Sequence, residues 1–255
     1  MIQQVVEIVR KASELMQKGG FDIFEKDGLA NLVTSSDIAV QHYLTEALSA
    51  LLPGSGFFCE EEDMQEYEKE YVWIIDPIDG TCNYSRGIDS CCIAVALARK
   101  GELQMGVVYS PARNELFTAE KGKGAFKNGK PIHVSPRPFS NGLFCTAMST
   151  YRKELAKTCS DIIYDIYMRC NDTRRWGAAA LEICYIAEGL VELYFEMRLQ
   201  PWDYAAASVV LTEAGGCIAS VKKAEPSLTQ PSLIIAANCR ESLKNLSDTV
   251  DRYLK

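Results

Sequence analysis

The segment WIIDPIDGTCNY, residues 73–84, ends an apolar run on two acids three positions apart and follows them at once with Gly, Thr and Asn. The run from Tyr71 to Ile75 is aromatic and β-branched, which predicts a strand ending at Asp76. Asp76 and Asp79 then lie at the carboxyl end of that strand, the edge at which α/β sheets bind ligands. Gly80 and Thr81 add backbone N–H groups and a hydroxyl at a predicted helix start, a place suited to a phosphate oxygen.

Upstream, Ile2, Val5, Val6, Val9, Ala12 and Met16 recur at helical spacing and stop at Gly19-Gly20. A second helix is predicted after LVTSSD (32–37), with Val40, Leu44, Ala47, Leu48 and Leu51 on one stripe and Pro53-Gly54 as its stop. GFFC (56–59) reads as a short strand opening into acids. Downstream, CCIAVALA (91–98), LQMGVVYS (103–110) and ELFTAE (115–120) read as a meander, and KNGK (127–130) as a tight hairpin. The prolines of SPRPFSN (135–141) mark a seam between an N-terminal α+β half, 1–139, and a C-terminal α/β half, 140–255. In the second half, strands LFCTAM (143–148), LVELYFE (190–196) and SLIIAAN (232–238) alternate with helices over Lys153–Met168, Gly177–Glu188, Trp202–Ala214 and Arg240–Leu254. Such alternation predicts a layered α/β architecture.

The 255 residues are 47% apolar, enough for a substantial core, and carry a net charge of −7 at pH 7. That balance argues against a nucleic-acid binder, which needs clustered Lys and Arg, and leaves room for local phosphate binding around a metal ion. No run is long enough to span a membrane, so no membrane partner is expected. Ten cysteines without regular spacing or a leader read as reduced thiols of a cytoplasmic protein. With two histidines and no CxxC, any metal should be hard and oxygen-bound.

Each candidate acid has an ordinary alternative. Asp76 and Asp79 could cap a turn. Asp37 completes a Thr34-x-x-Asp37 capping box, and Asp203 stands at a helix start where Asp is a favoured N-cap. Of Glu60, Glu61, Glu62 and Asp63, at least two should be solvated, and Glu60, first after the strand, is best placed to turn inward. Collectively the balance shifts. Two carboxylates about 4 Å apart repel by roughly 4 kcal/mol at an effective dielectric near 20, so a cluster of several calls for a cation among them.

NLVTSSD, FFCEEED, WIIDPIDGTCNY, GVVYSPARNELFTAEKGKGAF and PWDYAAASVVLTEAGG together resemble, in order and spacing, the inositol monophosphatase family of magnesium-dependent, lithium-sensitive phosphatases. The resemblance covers nearly the whole chain. It implies a five-layered αβαβα sandwich, a homodimer, and two or three Mg²⁺ ions per active site. By resemblance, Glu60, Asp76 and the Ile78 carbonyl are ligands of one ion, Asp76, Asp79 and Asp203 of a second, and Glu60 of a weaker third. Asp79, Gly80 and Thr81 would border the phosphate, and Thr81 with Asp37 would orient and deprotonate the attacking water. The implied reaction is direct in-line hydrolysis of a small phosphorylated metabolite.

For the substrate, the resemblance points to inositol monophosphate. Glu196, seven residues before Asp203, matches a carboxylate that binds inositol hydroxyls; its alternative is a surface acid ending a strand. RRWGAAALE (174–182) matches the pocket lining, with Gly177, Ala178 and Ala179 as contacts, although Ala178 stands where Ser or Thr is common and one hydrogen bond is lost. SRGIDSCC (85–92) also lacks the proline expected before the next strand. Fructose-1,6-bisphosphatase, 3′-phosphonucleotide phosphatase and histidinol-phosphatase activities share the core, and a second phosphate could use Arg86, Arg174 or Arg175. A regulatory binding protein that keeps the scaffold is the reading from another class. Cys82 beside the phosphate site is either redox-sensitive or, more simply, a small buried filler, and the other nine cysteines read as core.

Overall fold

In a computed structural model of the chain, which describes residues 1–17, 21–25, 32–61, 65–148 and 152–254, the strand opening at Tyr71 does not stop at Asp76. It runs through both acids, Tyr71–Asp79, with a shift of register against its neighbour between Asp76 and Asp79. In a regular strand, residues three apart point to opposite faces. Here Val72 and Ile74 join one core while Trp73, Ile75 and, past the irregularity, Ile78 join the other. The bulge at Pro77 thus brings Asp76 and Asp79 to the same face.

In chain order the elements are α1 (Ile2–Gln17), β1 (Ile23–Glu25), β2 (Leu32–Thr34), α2 (Ser35–Leu51), β3 (Gly56–Cys59), β4 (Tyr71–Asp79), α3 (Thr81–Tyr84), β5 (Cys92–Arg99), β6 (Glu102–Ser110), β7 (Glu115–Glu120), β8 (Ala125–Lys127) and β9 (Lys130–Ile132). Then follow β10 (Leu143–Thr146), α4 (Ala156–Tyr167), β11 (Asp172–Arg174), α5 (Ala179–Ala187), β12 (Leu193–Leu199), α6 (Pro201–Glu213), β13 (Cys217–Ala219), β14 (Ser232–Ala237) and α7 (Arg240–Tyr253). Strands β3 to β9 form one sheet in sequence order, antiparallel except for the β3–β4 pair. A second sheet has the order β11-β10-β12-β14-β13.

Three apolar cores stack these elements into five layers. Ile93, Val95 and Leu97 of β5 face Val5, Val9, Leu44 and Leu48 of α1 and α2. Cys92, Ala94, Ala96 and Ala98, on the opposite face of β5, share a core with α5, α6 and one side of the second sheet. The other side of that sheet, with Phe144, Phe195 and Ile235, packs on Ile162 and Ile166 of α4 and Leu246 and Val250 of α7. This is the αβαβα sandwich. Small residues let α6 lie close on the first sheet: a Cβ at Gly106 would fall 2.1 Å from the Ala206 carbonyl oxygen.

The predicted long elements are present, with shifted ends. The helix read over Lys153–Met168 begins with a 3₁₀ turn at Lys153–Leu155, the helix read from Gly177 begins at Ala179, and the strand read as 190–196 runs Leu193–Leu199. α6 begins one residue early because Pro201 suits the first helical position. Asn128 and Gly129 both take positive φ, 49° and 76°, as the tight hairpin requires. The three-residue strands β1, β2, β11 and β13 are too short to show a period. The Gly19-Gly20 stop lies outside the described residues, as do Glu62 and Asp63 of the acidic run. No helix among the described residues is long and apolar enough to cross a membrane.

The Gly106–Ala206 approach yields a test. Gly106→Ala should destabilise the fold by about 1–3 kcal/mol in urea unfolding, since backbone must move to admit the methyl group. A change below about 0.5 kcal/mol would show that α6 does not depend on this contact.

Candidate active site

The β4 bulge leads into Gly80, which holds φ 88° and caps the single-turn helix α3. A Cβ there would lie 2.9 Å from the Ser90 carbonyl oxygen and 3.3 Å from the Ala178 side chain, so only glycine fits this corner. The first N–H groups of α3 have no partners within the helix.

Asp37 occupies both of the positions the sequence offered as alternatives. Its Oδ2 accepts from the Thr34 N–H at 2.8 Å and the Thr34 hydroxyl at 2.5 Å, completing the capping box of α2. Its Oδ1 faces the Thr81 hydroxyl at 3.1 Å, and Thr81 Oγ1 also reaches the Ile78 carbonyl at 2.9 Å. One carboxylate oxygen thus serves the helix and the other the site. Burial raises its pKa above the ordinary value, against the pull of the Thr34 hydrogen bonds.

The other acids are anchored by backbone N–H groups. Asp76 Oδ1 accepts from Ile78 N at 3.0 Å. Asp79 caps a helix remote in sequence: its oxygens accept from Ala179 N at 3.2 Å and Ala180 N at 2.7 Å, with the Cys92 thiol 3.7 Å away. Asp203 is not the N-cap of α6, as its position suggested, because Pro201 starts the helix earlier; Gln200 caps it, and Asp203 is the third residue, accepting from Gln200 N at 2.7 Å. Glu60 is half-buried, and Glu61 beside it is buried, its N–H donating to Gln41 Oε1 at 2.9 Å while Gln41 Nε2 donates to its carbonyl. This clamp from α2 fixes the chain just after β3.

Electrostatics joins these groups into one cluster. Burial raises the pKa of Asp76 well above the usual range, and after burial Glu60, Asp79, Asp203 and Asp37 each raise it further. Asp79 is pushed up to about 7 by burial, against the two α5 amides, with Glu60 and Glu196 adding repulsion. Asp203 rises for the same reasons, with Glu60 and Asp79 its foremost charged neighbours. The foremost charges acting on these three are all negative. Among the described residues, no group of three or more His, Cys, Asp or Glu side chains stands in an arrangement that could hold a metal ion. The convergence is therefore electrostatic, and ligation would require these side chains to turn. The donor set itself, carboxylates and one carbonyl, fits a hard divalent cation.

The proposed pocket wall follows. Gly177 has φ 80°, Ala178 is buried as the N-cap residue of α5, and Ala179 meets Asp79. The hydrogen bond that Ala178 cannot make to the helix is replaced by the reach of Asp79 from β4. Glu196 is no surface acid: it is half-buried within β12, accepts from the Tyr194 hydroxyl at 2.6 Å, and is pushed up to about 7 by burial, with Arg175 opposing. Arg174 pairs with Asp172 at the surface, and Arg86 is exposed. Glu182, unforeseen because it lies within a helical stripe, is 2% exposed and accepts from Trp176 N and Gly177 N at 2.5 and 2.9 Å. Cys82 is exposed, which overturns the buried-filler reading, since α3 leaves its outer side bare. Six of the ten cysteines are buried, but Cys170 and Cys217 are only half-buried, and Cys239 is exposed, its sulfur capping α7.

Comparison with known proteins matches residues 1–253 to the model of the inositol monophosphatase family. The chain is 31% identical to Nus factor SuhB of Escherichia coli K12, covering 100% of this chain and 98% of that protein. It is 33% identical to inositol-1-monophosphatase of Caulobacter vibrioides, covering 92% and 94% of the two chains. The structure of a Thermotoga maritima IMPase superposes with a TM-score of 0.87 at 28% identity, covering 99% of this chain and 98% of that one.

Glu182 gives a pH test. Burial pushes its pKa from 4.5 to about 8, so its contribution to stability is present below pH 4.5 and is lost as pH rises through 8. Glu182→Gln keeps an acceptor for the two amides. With chelator present, the parent should lose stability relative to this variant between pH 5 and 8, by up to about 4 kcal/mol. Parallel stability curves for the two proteins would contradict the assignment.

Proposed function

The chain belongs to the inositol monophosphatase family, and from that premise we propose that it is a Mg²⁺-dependent phosphomonoesterase acting on a small sugar or polyol phosphate, inositol monophosphate first among them. The observation that carries this reading is the acid cluster of Glu60, Asp76, Asp79 and Asp203, in which burial and repulsion from neighbouring carboxylates raise the pKa of Asp76, Asp79 and Asp203. Mg²⁺ bound there would offset that repulsion, acidify a water and stabilise the leaving oxygen. Glu60, Asp76, Asp79, Asp203 and the Ile78 carbonyl would hold it.

The remaining steps belong to the chain. The Thr81 hydroxyl, within reach of both Asp37 and the Ile78 carbonyl, would accept a hydrogen bond from a water and pass its own proton to Asp37. A carboxylate of raised pKa is the better base, and the bonds from Thr34 fix its orientation. The Gly80 and Thr81 amides receive the phosphate. Gly177, Ala178, Ala179 and Glu196 border the sugar, with the Glu196 carboxyl oriented by Tyr194 to meet hydroxyl groups. The same reading takes the halves 1–139 and 140–255 as carrying most of the cation ligands and the substrate wall respectively, in a cytoplasmic homodimer without direct nucleic-acid contact. Lithium should inhibit it.

The relatives named Nus factor support a second reading, a binding protein that keeps this scaffold and has a macromolecular partner. Initial rates of phosphate release distinguish the two. Inositol phosphates, fructose 1,6-bisphosphate, a 3′-phosphonucleotide and histidinol phosphate would each be tried with Mg²⁺ and with chelator. The enzyme reading expects chelator-sensitive turnover, fastest on an inositol monophosphate; a folded protein with no turnover on any of them favours the binding reading. Asp79→Asn should lower kcat at least about 100-fold with the fold intact, because one cation ligand loses its charge. Near-parental rates at saturating Mg²⁺ would remove Asp79 from the site.

A further inference from the structure

Apart from the acid cluster, a cavity of about 500 Å³ opens between the turn at Gly101–Leu103, one face of α6 and residues 225–228. Its volume is that of small-molecule sites. Leu103, Val209, Ile218 and Leu228 make the apolar wall.

The polar wall is predominantly negative. Glu102, Glu213 and Glu225 line it, and Lys121 is the one base among the described lining residues. Lys121 is already paired with Glu102 at 3.0 Å, and three carboxylates against one ammonium leave a lining charge of −2. Glu213 is held in place by Gly122 N at 2.7 Å and Gly124 N at 2.8 Å. The hydroxyls add no donors: Ser208 Oγ donates to the Tyr204 carbonyl and Thr212 Oγ1 to the Ser208 carbonyl, both at 2.7 Å. Each hydroxyl has a single proton, so both offer only lone pairs to the cavity.

An acceptor-lined, negative cavity with an apolar wall rejects phosphates and carboxylates and complements a donor-rich cation. We propose that this cavity binds a small organic cation with an apolar body, of the alkyl- or arylammonium class, its ammonium toward Glu213 and Glu225 and its chain along Val209, Ile218 and Leu228. The site is independent of the phosphatase reading. It shares α6, the helix that carries Asp203, but no side chain of the acid cluster.

The test titrates the full chain, in buffer containing Mg²⁺, with hexylammonium, hexanoate and hexanol, followed by calorimetry and saturation-transfer NMR. Hexylammonium should bind saturably and at least about tenfold more tightly than hexanoate. Glu225→Gln, at an exposed position, should weaken it about three- to fivefold, the scale of one exposed charge pair. Thr212→Trp, also at an exposed position, should fill the cavity and abolish binding while thermal unfolding stays parental. Equal affinity for hexanoate, absence of saturable binding, or binding unchanged by both substitutions would overturn the proposal.

Discussion

Repulsion among buried carboxylates is the constraint on which the rest of the structure depends. Asp76, Asp79 and Asp203 come from two elements of different layers, and Glu60 and Asp37 complete a ring of like charge around them. Water would screen such charges, but burial removes it, so the neighbouring carboxylates raise the pKa of Asp76, Asp79 and Asp203 further. The chain offsets part of the cost with backbone dipoles: Ile78 N for Asp76, the first amides of α5 for Asp79, Gln200 N for Asp203. These hold the side chains in place without neutralising them. Protons on these raised acids relieve the repulsion, and in the proposed reading a divalent ion would take their place and supply the chemical resource of the reaction.

The fold serves this arrangement at three places. The bulge in β4 turns two acids three residues apart onto one face. The glycine and alanine contact between β6 and α6 sets the depth at which Asp203 meets the first sheet. The buried N-terminus of α5, which has no side-chain cap of its own, is completed by Asp79 from a strand about one hundred residues earlier. In each case a local irregularity in sequence, Pro77, Gly106 or Ala178, corresponds to a specific close approach.

The layered architecture was legible because long elements bury whole faces. The small and large residues of β5 alternate cleanly, and the stripes of α1 and α2 match the core they enter. The three-residue strands β1, β2, β11 and β13 carry no period and were invisible. The joint placement of Asp76 and Asp79 was expected on position alone, while its cause, a bulge, could not be read from spacing. For Asp37 the capping alternative and the site geometry hold together, since a carboxylate has two oxygens. The N-cap alternative for Asp203 and the buried-filler reading of Cys82 failed for a common reason: where a helix starts, and which side of a short helix stays bare, depend on neighbours distant in sequence. Glu182 and Gln41 went unnoticed because nothing in a helical stripe marks a buried polar residue whose partners are backbone groups elsewhere.

The central claim is that a divalent ion replaces protons in a buried cluster of acids. It is tested most directly by calorimetric titration of Mg²⁺ at pH 6.5 in buffers of different ionisation enthalpy, which counts the protons released per ion bound. With Asp79 pushed up to about 7 and Asp76 and Asp203 raised as well, binding should release protons at pH 6.5, and the release should diminish as pH rises. Absence of Mg²⁺ binding by the folded protein, or binding with no proton release at pH 6.5, would contradict it.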